Sequence, residues 1–269
     1  MKTLAIITVV YKNYTVLEEY FASLEKQGDN NFKLFIIDNT EKPEDINLPP
    51  YASVVHTKNK GYSAAVNIGL TEAIKNNLSL FTITNSDIIF DKNFVKHALV
   101  AFEKHPRSLV GGKIYYAKGF EYHKGRYSKN ELGRVLWYAG GHISWEHALT
   151  PHRGVDLVDA GQFDQEIKTG FINGCLMLFD KDVYDLVGPW DESYFMYFED
   201  SDYCVSAMRL GVELWFDPTL VVWHKNSQST GGAGSDFHAK YLKKNQLKFG
   251  LKYAPLSTIL HLVKNNLFK

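Results

Sequence analysis

The chain has 269 residues, 45% of them hydrophobic, enough to bury the core of one large domain or two small ones. Its 30 Lys and Arg balance its 30 Asp and Glu, which excludes a chain-wide electrostatic footprint for nucleic acid. Two cysteines, Cys175 and Cys204, lack metal-type spacing and offer no disulfide framework, which points to a reducing compartment.

Residues 4–10 form a short apolar, β-branched run, the mark of a strand buried on both faces. A helix is predicted over about 14–27, with Leu17, Tyr20, Phe21 and Leu24 along one side and Gly28 as its stop. Strands follow at 32–39, 53–56 and 79–85, with a helix at 64–76 between the last two. This alternation predicts a parallel sheet covered by helices on both faces over the first hundred residues. Ligands of such sheets bind beyond the carboxyl ends of the strands. The residues expected there are Tyr11, Asp38 and Asn39, Asn59 to Gly61, and Asn85 to Asp87.

The second half is less regular. Residues 117–133 are polar and rich in Gly and Lys, and read as a mobile loop. Residues 137–163 hold Trp137, Trp145, His142, His147, His152 and Arg153, a composition suited to the wall of a site. A strand is predicted at 169–179, interrupted by Gly170 and Gly174, then a helix at 200–210 ended by Gly211, then strands at 212–216 and 220–223. No repeat or linker divides the chain, so one domain is expected over 1–250, in two halves, 1–110 and 111–250. In the tail, Leu256, Ile259, Leu260, Val263 and Leu267 recur at helical spacing, with Lys264 and Lys269 nearby and Lys243, Lys244, Lys248 and Lys252 upstream. An amphipathic helix over 251–269 is therefore expected, able to lie on a membrane surface, to pack on its own domain or to join a second copy in a homodimer. The N-terminus does not read as a signal peptide, and no stretch is long enough to span a bilayer. A cytoplasmic protein is expected, free or peripheral on the inner face of the membrane.

The chemistry concentrates in a few places. Residues 194–204 set Glu199, Asp200 and Asp202 among Phe, Tyr and Met, with Asp191 just upstream. Carboxylates beside aromatics suggest a partly dry cleft, where a pKa can be tuned for proton transfer. Asp87 follows an apolar strand; it reads as a ligand for a hard divalent cation shared with phosphate oxygens, or as a turn residue. His224 ends another apolar strand and reads as a second metal ligand or as a structural histidine. Asp38 could accept from a base N–H or cap its loop. Residues 59–67 join a glycine loop to a helix start, where backbone N–H groups favour an anion, although neither a Walker loop nor the dinucleotide fingerprint is present. Asp202 is expected to cap its helix or pair with Arg209, and Glu199 to orient a bound ligand or face solvent. Trp137 and Trp145 read equally as residues of a site wall or of the core.

Taken together, the segments Ile7 to Tyr11, Ile36 to Asn39, Asn59 to Asn67, Thr84 to Asp87, Gly170 to Gly174, Gly188 to Glu192 and Tyr197 to Cys204, followed by His224, resemble the inverting family-2 glycosyltransferases of GT-A fold. Within them they resemble the bacterial rhamnosyltransferase-like and galactofuranosyltransferase-like branch. The resemblance covers residues 4–250 in family order, and the Glu-Asp block is its most specific part.

It implies a Rossmann-like, mostly parallel α/β sheet and metal-dependent transfer of a sugar from dTDP-rhamnose or a UDP-hexose to a hydroxyl of a surface glycan, free or lipid-linked. Thr8, Tyr11 and Asp38 would line the base and ribose pocket, and Asn59, Gly61 and Asn67 the nucleotide floor. Asn85 and Asp87 stand at the family's Asp-X-Asp motif. Asp87 and His224 would hold Mg²⁺ or Mn²⁺, Asp200 would be the general base, and Asn173, Gly174, Glu199 and Trp137 would meet the sugars. Asn85 replaces the first aspartate of the motif, which makes His224 and the donor diphosphate weigh more in metal binding. A nucleotidyltransferase and a non-catalytic nucleotide- or glycan-binding protein are the alternatives from other classes.

Overall fold

The structure is a computed structural model and describes residues 2–226 and 236–267. Its centre is a ten-stranded mixed sheet. The strands are β1 (Leu4–Val10), β2 (Phe32–Asp38), β3 (Ala52–His56), β4 (Leu80–Asn85), β5 (Ile88–Phe90), β6 (Leu109–Tyr116), β7 (Leu136–Tyr138), β8 (Ile167–Lys168), β9 (Leu176–Asp180) and β10 (Leu214–His224). They run in the order β3-β2-β1-β4-β9-β6-β10-β5, with β7 on β6 and β8 on β10. The helices are α1 (Val16–Glu25), α2 (Tyr62–Lys75), α3 (Phe94–Lys104), α4 (Lys181–Val187), α5 (Glu199–Arg209), α6 (Asp236–Tyr253) and α7 (Leu256–Leu267).

The first four strands pair in parallel, and β1, β2 and β4 are covered on both faces, so their sequences read as near-continuous apolar runs, while β3 lies at the sheet edge and is partly exposed. Helix α1 turns Val16, Leu17, Tyr20 and Leu24 inward at helical spacing, and α2 packs on β1 and β2. Parallel pairing holds for β3-β2-β1-β4 and for β6-β10, while the short strands β7 and β8 and two others, β9 and β5, pair antiparallel. β9 is inserted antiparallel between β4 and β6, and β5 pairs antiparallel with β10.

Both reversals build the site. Because β9 runs backwards, the loop entering it arrives at the edge where β1, β2 and β4 end: Leu176 pairs with Thr84, and Asn85 N donates to Cys175 O at 3.3 Å. Because β5 runs against β10, Ile88 lies opposite His224, which puts Asp87 beside the last residue of β10.

Several expected elements are corrected. The strand expected at 169–179 is confined to Leu176–Asp180, and residues 170–175 form a loop. The two strands expected at 212–216 and 220–223 are one strand, β10, with an irregularity between Phe216 and Val221, where Asp217 folds onto Thr219. The loop at 117–133 contains a short 3-10 turn, Lys124–Arg126, and buries Glu121, which accepts from the amides of Gly119 and Gly133.

The tail is two helices, because Pro255 interrupts the pattern and α6 starts before residue 250 and runs through it. Both pack on the chain itself. Phe249 and Leu262 join Ala148, Tyr194, Phe198 and Val205 in a second apolar cluster beside the main core. Trp145 stacks on Phe249 at 5.8 Å, which settles it as a packing residue of that cluster.

Candidate active site

Two groups of side chains meet at the carboxyl edge of the sheet. On one side stand Asn85, Asp87 and His224. Asp87 Oδ1 is 3.1 Å from His224 Nε2, and Asn85 Nδ2 is 3.4 Å from the same nitrogen. Asp87 and His224 are buried. His224 Nδ1 is buried without a hydrogen-bond partner among the described residues.

On the other side stands Asp200, in the first turn of α5. Its Oδ2 accepts the amide of Gly174 at 2.9 Å, and its Oδ1 accepts the amide of Ser201 at 2.7 Å. Tyr62 links the two groups: its hydroxyl lies 3.4 Å from Asn85 Oδ1 and 3.3 Å from Gly174 O.

The electrostatics follow from burial. Desolvation pushes the Asp200 carboxyl above its ordinary value, while the Gly174 and Ser201 amides oppose that rise. Glu199 is pushed well above the usual carboxylate range, by burial first and by the neighbouring Asp200 second. It is buried, and its Oε2 has no hydrogen-bond partner among the described residues, so the solvated reading is corrected. Asp202 neither caps α5 nor pairs with Arg209. It is buried and ion-paired with Lys252 of α6 at 2.7 Å.

A third group of side chains adjoins them. The Trp137 ring lies 4.6 Å from that of His224 and 4.9 Å from that of His152. His152 Nδ1 bonds Trp137 O at 3.0 Å, and its Nε2 lies 3.2 Å from Asn173 Nδ2. Burial pushes the His152 pKa down to about 4, so the ring is neutral at pH 7. Trp137 is half-buried beside the site rather than part of a dry core. Arg153, by contrast, turns inward onto Ala139 O and the faces of Phe163 and Phe216.

Other expected residues have different partners. Thr8 is fully buried within β1. The Gly61 amide is taken by Asn59 Oδ1, and the Tyr62 amide donates to Phe195 O at 2.8 Å, so the start of α2 holds a loop rather than an open anion site. Gly61 has φ +102°, and a Cβ there would lie 2.5 Å from Phe195 O, so this approach requires glycine. Asn67 faces the same loop: it accepts from Trp190 N and donates to Trp190 O and Glu192 Oε1. These residues dock the 190–195 segment that leads into α5.

Asp38 is fully buried and holds Tyr14 Oη at 2.8 Å, Thr40 N at 2.9 Å and His56 Nδ1 at 3.2 Å. It thereby fixes one wall of a cavity of about 300 Å³ lined by Lys12, Tyr14, Thr40, Glu41, Lys42 and Glu44. Tyr11, at the end of β1, reaches Glu41 Oε1 at 3.2 Å.

Among the described residues no group of three or more His, Cys, Asp or Glu could hold a metal alone. The donor set does fit a cation shared with a substrate. One carboxylate, one imidazole and the nearby Asn85 amide leave most positions for diphosphate oxygens and water, the pattern in which Mg²⁺ is usually bound.

Tyr62 is the residue that sequence reasoning missed. It stands inside the 59–67 loop already singled out, but its contacts lie 23 and 112 residues away.

Comparison with known proteins identifies the fold and the family. Residues 5–188 match the model of Glycosyl transferase family 2. Over 215 residues the chain is 21% identical to the low-salt glycan biosynthesis hexosyltransferase Agl10 of Haloferax volcanii, covering 78% of this chain and 63% of that protein. The crystal structure of GalNAc-T7 with UDP, GalNAc and Mn²⁺ superposes with a TM-score of 0.64 at 14% identity, covering 91% of this chain and 48% of that one. The chain thus spans less than two thirds of either protein. The mixed sheet flanked by helices is the GT-A fold, and the chain belongs to glycosyl transferase family 2.

Proposed function

We propose that this chain transfers a sugar from a nucleotide-diphosphate donor to a hydroxyl of a glycan acceptor, with inversion and with Asp200 as the general base. The observation that carries the reading is the bridge from Asp200 through Gly174 and Tyr62 to Asn85 and His224, which holds a proton acceptor and a diphosphate-side acid at one sheet edge.

The Asp200 carboxylate takes the acceptor proton as the new glycosidic bond forms. Its fixed hydrogen bonds to Gly174 N and Ser201 N keep one face of the carboxylate in place. Trp137, Asn173 and neutral His152 give the acceptor an aromatic face and polar contacts without adding charge. Attack from the face opposite the nucleotide inverts the anomeric centre. A double displacement through a thiol is disfavoured, because Cys175 and Cys204 are buried and both thiols are pushed up by burial.

Asp87 and His224, with Asn85 beside them, would hold Mg²⁺ or Mn²⁺ together with the donor diphosphate. When bound, the cation supplies neutralising charge to the leaving nucleotide. GalNAc-T7, with UDP and Mn²⁺ in its structure, supports this pairing. The nucleobase would occupy the cavity beside Tyr14, whose hydroxyl Asp38 holds, with Tyr11 next to the lining Lys12 in sequence; Asn59 would face the nucleotide.

Residues 1–110 then form the donor half, 111–250 the acceptor half, and 251–269 an extension. The branch resemblance favours dTDP-rhamnose or a UDP-hexose as donor and a surface glycan, free or lipid-linked, as acceptor. Among the described residues no helix is long and apolar enough to cross a membrane. Leu256 and Leu260 are exposed on α7, which supports peripheral contact with the inner face of the membrane or with a second copy.

The test is calorimetric titration with UDP, dTDP, GDP and CDP, each with and without Mn²⁺. The reading expects Mn²⁺-dependent binding of UDP or dTDP. Failure of all four to bind would contradict it.

A further inference from the structure

The two residues that lead into the Glu199–Asp200 turn, Tyr197 and Phe198, are both left-handed, with φ of +69° and +71°. Neither is glycine, so in each the Cβ crowds the following carbonyl oxygen. Phe198 caps α5, and no side chain caps the helix there. The aim of Asp200 therefore depends on a turn that its own sequence disfavours.

That turn is held from outside. Asn245, in the middle of α6 and 1% exposed, donates from Nδ2 to Met196 O at 2.7 Å and to Tyr197 O at 3.0 Å. Around it α6 grips the same segment again. Lys248 bonds Ser193 and lies 3.3 Å from Asp191 Oδ2, and Lys252 pairs with Asp202.

We propose that Asn245 is a positioning residue for the catalytic base: it pins the left-handed turn that sets Asp200 against Gly174, and so makes α6 a working part of the active site. The link to catalysis rests on the reading of Asp200 as the base; the link to geometry does not.

The test separates the two. The Gly174 amide donates to Asp200 Oδ2, so its NMR shift follows the ionisation of the Asp200 carboxyl, and Asp200→Asn identifies that titration by abolishing it. In Asn245→Ala, and in Asn245→Ser as the milder variant, the midpoint should move by about half a pH unit or more as Asp200 changes surroundings. Adding Tyr197→Gly to Asn245→Ala should return the midpoint towards wild type, since glycine adopts the left-handed conformation without steric cost.

With an accepted donor and acceptor, Asn245→Ala should lower kcat about 10–100-fold and leave the donor KM within about twofold. A Gly174 titration identical to wild type in the Asn245 variants would overturn the inference, and so would a shifted titration that Tyr197→Gly leaves unrescued. Wild-type transfer by Asp200→Asn would overturn the functional reading and leave the geometric role of Asn245 standing.

Discussion

The Gly174 amide donates to Asp200 Oδ2 at 2.9 Å, although the two residues lie on separate elements, the loop entering β9 and the first turn of α5. A Cβ at Gly174 would meet Asp200 Cβ at 3.3 Å and the Trp190 ring at 3.6 Å. The first distance is tight but not a clash. Gly174→Ala should therefore fold and move Asp200 by a few tenths of an ångström. Steady-state kinetics should show kcat reduced about 10-fold or more, with little change in donor KM. Unchanged kcat would mean that this contact does not position the base.

Asp87 and His224 are predicted to act on the donor diphosphate rather than on fold stability alone. Asp87→Asn keeps the side-chain volume and removes the charge. It should abolish most of the Mn²⁺-dependent gain in nucleotide affinity while leaving the weaker metal-free binding in place. Calorimetry with and without EDTA reads both terms. An undiminished Mn²⁺ effect would move the metal elsewhere.

Glu199 makes a pH-dependent prediction. Its folded-state pKa is raised well above the ordinary 4.5 by burial. The folded chain therefore keeps a proton that the unfolded chain loses, and this group's contribution to stability falls as pH rises from the unfolded carboxyl's pKa through the folded one. Glu199→Gln should flatten that fall and raise Tm at neutral pH more than at pH 4. Parallel Tm–pH curves for the two proteins would refute the buried, protonated state of Glu199.

Much of the first half was legible because its strands are covered on both faces, so residues 4–10, 32–38 and 80–85 announce themselves as apolar runs. The second half was less so. Nothing in the apolar sequence of β9 says that it runs antiparallel, and Asp217 and Thr219 interrupt a strand that continues beyond them. Asp87 and His224 each read as a candidate ligand at a strand end, but nothing local says that they touch; the register of β5 on β10 brings them together.

The partners of Asp202 and Glu199 were not legible. Lys252 lies 50 residues from Asp202, and burial of Glu199 depends on tertiary covering that no local pattern records. The partners of the 59–67 loop were not legible for a similar reason. Its helix start has the composition of an anion site, but Phe195, far along the chain, supplies a carbonyl to it.

The tail should matter to stability. Leu262 is 5% exposed, and its Cδ1 lies 2.3 Å from where a Cβ on Gly250 would stand, so it fills a notch that glycine leaves open. Leu262→Ala should cost about 2–4 kcal/mol. Urea unfolding measures this directly. A loss below about 0.5 kcal/mol, the range of ordinary surface substitutions, would mean that α7 does not pack on the domain in solution.

The most direct test of the account is the transfer rate of Asp200→Asn beside wild type, using the nucleotide sugar selected by Mn²⁺-dependent binding. Loss of a positioned general base should lower kcat by about 10²–10⁴-fold while nucleotide affinity stays at the wild-type value. Transfer at the wild-type rate would contradict the assignment of Asp200 as the base, and with it the central claim.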